Sequence, residues 1–193
     1  MSRRDRLVWI DLEMSGLELE ECRILEIATI VTDSQLEVIA EGPELVIHQP
    51  DEVLDAMDEW NTTHHGASGL TKAVKESSIS IADAEAQTLA FIKEHCNQLE
   101  APLCGNSVWQ DRRFLGRYMS ELEAYLHYRI IDVSSIKEVV RRWYPTEVRP
   151  PDKGQSHRAL DDIRESIEEL RYYRRAVFSP PGGQGEAGRG AGE

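Results

Sequence analysis

The chain has 193 residues, 40% of them hydrophobic, and a formal net charge of −13, enough for one substantial core and short for two. Residues 1–60 hold 16 acids against 4 bases and residues 61–193 hold 19 against 18, with no basic stripe of the kind that neutralises many phosphates; this argues against a protein that tracks along long nucleic acid. No basic leader and no apolar run of membrane-spanning length is seen, and the three scattered cysteines, Cys22, Cys96 and Cys104, read as reduced thiols, so the expectation is a soluble, cytoplasmic, single-domain α/β protein.

From Leu7 to Gly16 an apolar run ends in two carboxylates and a glycine turn. Val8, Ile10 and Leu12 alternate with Trp9, Asp11 and Glu13, so on a strand the two acids share one face. Acids held that way repel, and a hard divalent cation relieves them; a solvated strand end with two ordinary acids fits the same stretch. Ile24 to Val31 is a nearly continuous β-branched run, typical of a strand buried on both faces. Leu36–Ala40 and Leu45–His48 follow as shorter strands, giving a mainly antiparallel meander. Residues 51–76 read as short helices and loops broken at Gly66 and Gly69, and they carry Trp60, His64 and His65. Adjacent histidines are poor ligands for one ion, so a loop histidine touching a ligand is the sharper reading of that pair.

Ser80 and Asp83 make a capping box for a helix with Ile81, Ala84, Thr88, Leu89, Phe91, Ile92 and Cys96 on one face. Pro102–Asn106 reads as a short buried strand, followed by a helix from about Gln110 to Tyr118. Asp111 lies in its first turn, as a helix-dipole partner or as a ligand. Tyr128–Ile131 is a further strand. Asp132 or Ser134 caps a helix striped by Val133, Ile136, Val140, Trp143 and Tyr144 and stopped by Pro145. A mobile loop from Pro145 to Ser156 runs into His157, and Ala159, Ile163, Leu170, Tyr173 and Val177 mark the buried face of the last helix. At about 100° per residue, Asp162 falls about 60° from Ala159 and Asp161 about 200° away, so Asp162 borders the buried face and Asp161 points to solvent. His157 is about 140° from Asp162 on a regular helix, so the two share a pocket only if His157 sits on the entry turn. Residues 179–193, with six glycines and two prolines, cannot bury a core and read as a disordered tail.

Asp11, Glu13, Asp111 and Asp162 with His157 are the parts of a two-metal phosphoryl-transfer site: four carboxylates for ions about 3.5–4 Å apart and a histidine suited to take a water's proton. The runs Trp9–Leu17, Gly105–Asp111 and Ser156–Ile163, with Ile130–Ser134, closely resemble the DEDDh exonuclease family in its oligoribonuclease branch, over roughly residues 6–178. The resemblance implies a ribonuclease H-like mixed sheet flanked by helices, an exonuclease domain over residues 1–178, and two divalent ions, Mg²⁺ or Mn²⁺. It also implies a homodimer and 3′-to-5′ hydrolysis of very short RNA to mononucleotides. On it, Asp11, Glu13, Asp111 and Asp162 hold metal and His157 is the general base. Leu17 and Trp60 pack against the bases. Ser107, Ser134 and His65 close on a 5′ phosphate, to which Tyr128 and Arg129 are added by the neighbouring subunit. Two other readings stay open at this point. A DNA exonuclease of the proofreading type would use the same five residues, although the missing basic track disfavours it. A silent binding module is disfavoured by five chemically competent positions.

Overall fold

A computed structural model describes residues 5–150 and 158–178. β1 (Leu7–Met14), β2 (Ile24–Thr32), β3 (Val38–Glu41), β4 (Leu45–Val46), β5 (Pro102–Gly105) and β6 (His127–Asp132) form one mixed sheet in the order β3-β2-β1-β5-β6, with β4 also on β2. β2 runs antiparallel to β1, β3 and β4, while β1–β5 and β5–β6 are parallel. The helices are α1 (Asp51–Asp55), α2 (Glu59–Ala67), α3 (Leu70–Glu76), α4 (Ile81–His95), α5 (Trp109–Tyr118), α6 (Ser120–Tyr125), α7 (Val133–Trp143) and α8 (Ala159–Ala176). None among the described residues is long and apolar enough to cross a membrane.

Both faces of the central strands are covered. Val8, Ile10 and Leu12 pack with Ala84 and Ile92 of α4 and Phe114 of α5, whereas Trp9 packs on the opposite face with Val133 of α7 and Ile163 and Tyr173 of α8. The period-2 alternation of β1 therefore puts Asp11 and Glu13 on the α8 side, beyond Trp9. Trp9 is fully buried, and its indole N–H is satisfied by Thr32 Oγ1 at 3.0 Å. All nine residues of β2 are buried, as its β-branched run predicts.

The capping box forms as predicted. Ser80 Oγ accepts from Asp83 N at 3.1 Å, and Asp83 Oδ2 accepts from Ser80 N at 3.3 Å. The predicted strand Leu36–Ala40 begins instead at Val38, because Asp33 Oδ1 accepts from both Gln35 N and Glu37 N. That turn places Leu36 at φ 70°, with its side chain buried against α8. The meander also differs from expectation, since β4 returns to β2 instead of extending the sheet past β3, and it ends at Val46. α6 was not expected. On α7 the apolar stripe is buried through Val140, but Trp143 is 76% exposed; periodicity identifies a helix face and not how far its neighbours reach. Residues 151–156 of the predicted loop, His157 and the segment 179–193 lie outside the described residues.

Candidate active site

β1 delivers Asp11 and Glu13 to the same side, and α8 brings Asp162 in from its first turn. One carboxylate oxygen from each of the three lies within 4.8 Å of the others. Asp111 joins from behind. It is 6% exposed, and its Oδ1 accepts from Leu12 N at 3.0 Å, the amide between the two β1 acids. The pairing of β1 with β5 ends at Trp9–Cys104, so Asp111 takes the amide that a longer β5 would have bonded. The structure thus gathers three of the four predicted acids into one group and sets the fourth directly against the strand that carries two of them. Asp161 behaves as predicted, half-exposed and paired with Arg164 at 3.2 Å.

This crowding shows in the acidity of the group. Burial, then Asp162, Glu26 and Asp111, push Glu13 up to about 8 against the pull of Arg158. Burial likewise lifts Asp111 to about 7, although the Leu12 amide and its own amide favour the ionised form. Hard oxygen donors gathered at a partly buried point, with more negative charge than the site can hold unaided, are the donor set that Mg²⁺ or Mn²⁺ takes.

The second layer was not legible in the sequence. Glu26 lies opposite Glu13 in the β1–β2 register and is fully buried. Its oxygens accept from Arg158 Nε at 3.0 and 3.1 Å, Arg158 Nη2 at 2.5 Å and the Ala159 amide at 3.2 Å. Glu44 accepts a further bond from Arg158 at 3.0 Å. Arg158 occupies the N-cap of α8 and offers no side-chain cap, so Glu26 reaches across from β2 to cap the helix that carries Asp162. The available signal was the one charged residue, Glu26, inside a buried β-branched strand.

Of the remaining predicted residues, His65 reaches the acids directly. Leu17 and Trp60 are 63% and 58% exposed, and Trp60 stacks on His64 with ring centroids 3.9 Å apart. Leu17 is steadied through its carbonyl, which accepts from Gln110 Nε2 at 3.2 Å. A Cβ on Gly16 would meet Cys22 Sγ at 2.7 Å, so the turn that presents Leu17 requires glycine. His65 is 2% exposed. Its Nε2 bonds the Met14 carbonyl at 2.9 Å and its Nδ1 lies 3.8 Å from Glu13 Oε2, which places it on the β1 side of the acids. Ser107 and Ser134, which follow the ends of β5 and β6, have their hydroxyls 3.2 Å apart. Tyr128 and Arg129 stand exposed on β6, an edge strand, with the guanidinium 4.9 Å over the Tyr128 ring.

A family model described as RNase_T, exonuclease, matches residues 8–170. The oligoribonuclease of Marinobacter nauticus is 60% identical over 178 residues, 92% of this chain and 99% of that protein. The chain belongs to the oligoribonuclease family. The oligoribonuclease of Pseudomonas aeruginosa PAO1 is 57% identical over 174 residues, covering 90% of this chain and 97% of its own. Membership in this exonuclease family makes the protein a metal-dependent hydrolase of phosphodiester bonds. Among solved structures, exonuclease I of Methylocaldum szegediense superposes with a TM-score of 0.65 at 20% identity over 89% of this chain and 41% of that one. E. coli exonuclease I in complex with a dT13 oligonucleotide gives 0.68 at 15% identity over 88% and 41%. At those identities the likeness shows the fold, the ribonuclease H-like sheet of exonucleases, and this chain spans about two fifths of those longer proteins.

Proposed function

We propose that this oligoribonuclease-family enzyme is a 3′-to-5′ exoribonuclease that cuts very short oligoribonucleotides, down to dinucleotides, into mononucleotides. The observation that carries the reading is the convergence of Asp11, Glu13 and Asp162 within 4.8 Å, with Asp111 buried against Leu12. Two Mg²⁺ or Mn²⁺ ions bound by these acids would activate the attacking water and stabilise the leaving oxygen. His157 takes the water's proton as general base. Leu17 and Trp60 offer exposed apolar faces to the two bases. Ser107, Ser134 and His65 receive the 5′ phosphate, and Tyr128 and Arg129 of a second copy complete that pocket in a homodimer. Arginine suits the role because its planar fork pairs with phosphate oxygens. The acidic balance of the chain supports a ligand with few phosphates, and three free cysteines suit the reducing cytoplasm, where we place the enzyme.

The test is release of mononucleotides from 5′-labelled RNAs of two to ten residues and from a long DNA strand, with and without Mg²⁺ or Mn²⁺. Metal-dependent turnover that falls steeply with RNA length is expected, because a pocket closed around the 5′ phosphate leaves no path for further nucleotides. Equal kcat/KM on two- and ten-residue RNAs, or preference for the long DNA, would overturn the reading.

A further inference from the structure

Ser107 has φ 51°, a left-handed backbone that serine adopts only where its surroundings over-determine it. Its N–H has two acceptors, Asp132 Oδ1 at 3.1 Å and Ser134 Oγ at 3.0 Å. The Ser134 hydroxyl in turn donates to Asn106 Oδ1 at 3.0 Å. Asn106 Nδ2 donates to Ser166 Oγ at 2.8 Å and to Glu169 Oε2 at 3.2 Å, and the Ser166 hydroxyl donates to the Asp162 carbonyl at 2.8 Å. One connected run of bonds thus leads from exposed Ser107, beneath the end of β5, to the main chain of an acid in the metal-binding group.

The far end of this run sets its direction. Glu169 is 3% exposed; Lys137 Nζ lies 2.9 Å from Oε1, to which the Tyr173 hydroxyl also donates at 3.2 Å. A carboxylate paired in this way accepts only, and so does the Asp162 carbonyl. These two acceptors oblige Asn106 to turn its nitrogen toward α8 and its oxygen toward Ser134. The Ser134 oxygen is then left to accept from Ser107, as observed. The backbone before Asn106 has no slack either, since a Cβ on Gly105 would lie 3.1 Å from Val108 Cγ2 and 3.3 Å from the Ile10 carbonyl.

We propose that Asn106, oriented by Glu169, is a positioning residue: by accepting from the Ser134 hydroxyl it turns the Ser134 oxygen to the Ser107 N–H, which fixes Ser107 with its hydroxyl ready to donate to the substrate's terminal phosphate and ties it to the first turn of α8. The inference rests on the reading of these serines as the phosphate pocket. It makes selectivity for a 5′ phosphate depend on two side chains that touch no substrate.

The readout is the ratio of kcat/KM for a 5′-phosphorylated dinucleotide to that for its 5′-hydroxyl counterpart. A merely structural role would lower both values alike and leave the ratio unmoved. In Asn106→Ala the ratio should fall about tenfold, the size of one hydrogen bond to a charged group. Glu169→Leu should fall in the same direction, while Glu169→Gln, which keeps an oxygen for the Asn106 amide, should retain the parent's preference. Should Asn106→Ala not fold, the contrast between the two Glu169 variants decides the matter. Loss of the preference in Ser107→Ala together with its retention in Asn106→Ala or Glu169→Leu would overturn the positioning role and leave the pocket standing. A parent without the preference, or a Ser107→Ala variant that keeps it, would overturn the pocket itself and this inference with it.

Discussion

Replacing Glu26 with Ala should destabilise the protein far more than its distance from solvent chemistry suggests. Glu26 is fully buried, and both oxygens are engaged by Arg158 and the Ala159 amide. Removing one partner of a buried pair costs about 3–5 kcal/mol, because the other charge is stranded. Arg158 is 32% exposed and keeps Glu44 at 3.0 Å, which argues for the low end of that range. Loss of the Glu26 cap on the Ala159 amide adds about 1 kcal/mol, and relief of repulsion on Glu13 across the strand pair returns part of it. A net loss of about 3 kcal/mol follows, which lowers the melting temperature by roughly 6–12 °C for a chain of this size. Urea and thermal unfolding of the metal-free protein near neutral pH measure it. Glu44→Ala is the control: that partner is 33% exposed, and its loss should cost less than about 1 kcal/mol. Because α8 carries Asp162 in its first turn, calorimetric Mn²⁺ affinity should weaken in Glu26→Ala and not in Glu44→Ala. A Glu26→Ala protein within about 1 kcal/mol of the parent, against the roughly 3 kcal/mol loss expected, would refute the clamp.

Asp11→Ala and Asp162→Ala should each abolish hydrolysis while folding normally by circular dichroism, and removal of carboxylate repulsion should raise the melting temperature of the metal-free protein; near-normal turnover in either would sink the metal-ligand assignment. Burial and neighbouring acids push Glu13 up to about 8, and burial pushes Asp111 up to about 7, so between the ordinary carboxylate range and those values the folded, metal-free protein holds protons that the unfolded chain has released. Stability should therefore fall as pH rises through that window, flatten in Glu13→Gln, and recover with saturating Mg²⁺; a metal-free melting temperature that climbs from about pH 5.5 to about pH 8 contradicts this. His157→Ala should lose a factor of about 10² to 10⁴ in kcat with dinucleotide Kd little changed, whereas a Kd that rises as steeply as kcat falls would make His157 a binding residue. Mixing Asp11→Ala with Arg129→Ala under subunit exchange should restore activity that neither homodimer shows, and a mixture that stays inactive would place Arg129 in its own chain's site.

The amino-acid order alone determined much of this protein. Alternation along Val8–Glu13 determined that Asp11 and Glu13 share a face, because strand period is local geometry. The 100° step of a helix separated Asp162 from Asp161 in the same way, and Ser80 with Asp83 marked the start of α4 through two bonds three residues apart. These signals span a few residues and need no partner. Long-range pairing is different. That β4 returns to β2, that Leu36 tucks under α8 from a left-handed turn, and that the last turn of α7 leaves Trp143 uncovered all depend on which surfaces meet. The site divides along the same line. Its acids were legible by type and spacing, but Asp111 taken alone reads more readily as a helix-dipole partner, and only the early end of the β1–β5 pairing gives it the Leu12 amide. Glu26 reaches Arg158 across 132 positions, and Asn106 reaches Glu169 across 63. Buried polar groups take whatever partner the packed fold brings within 3 Å or so, and no periodicity within either segment records who that partner will be.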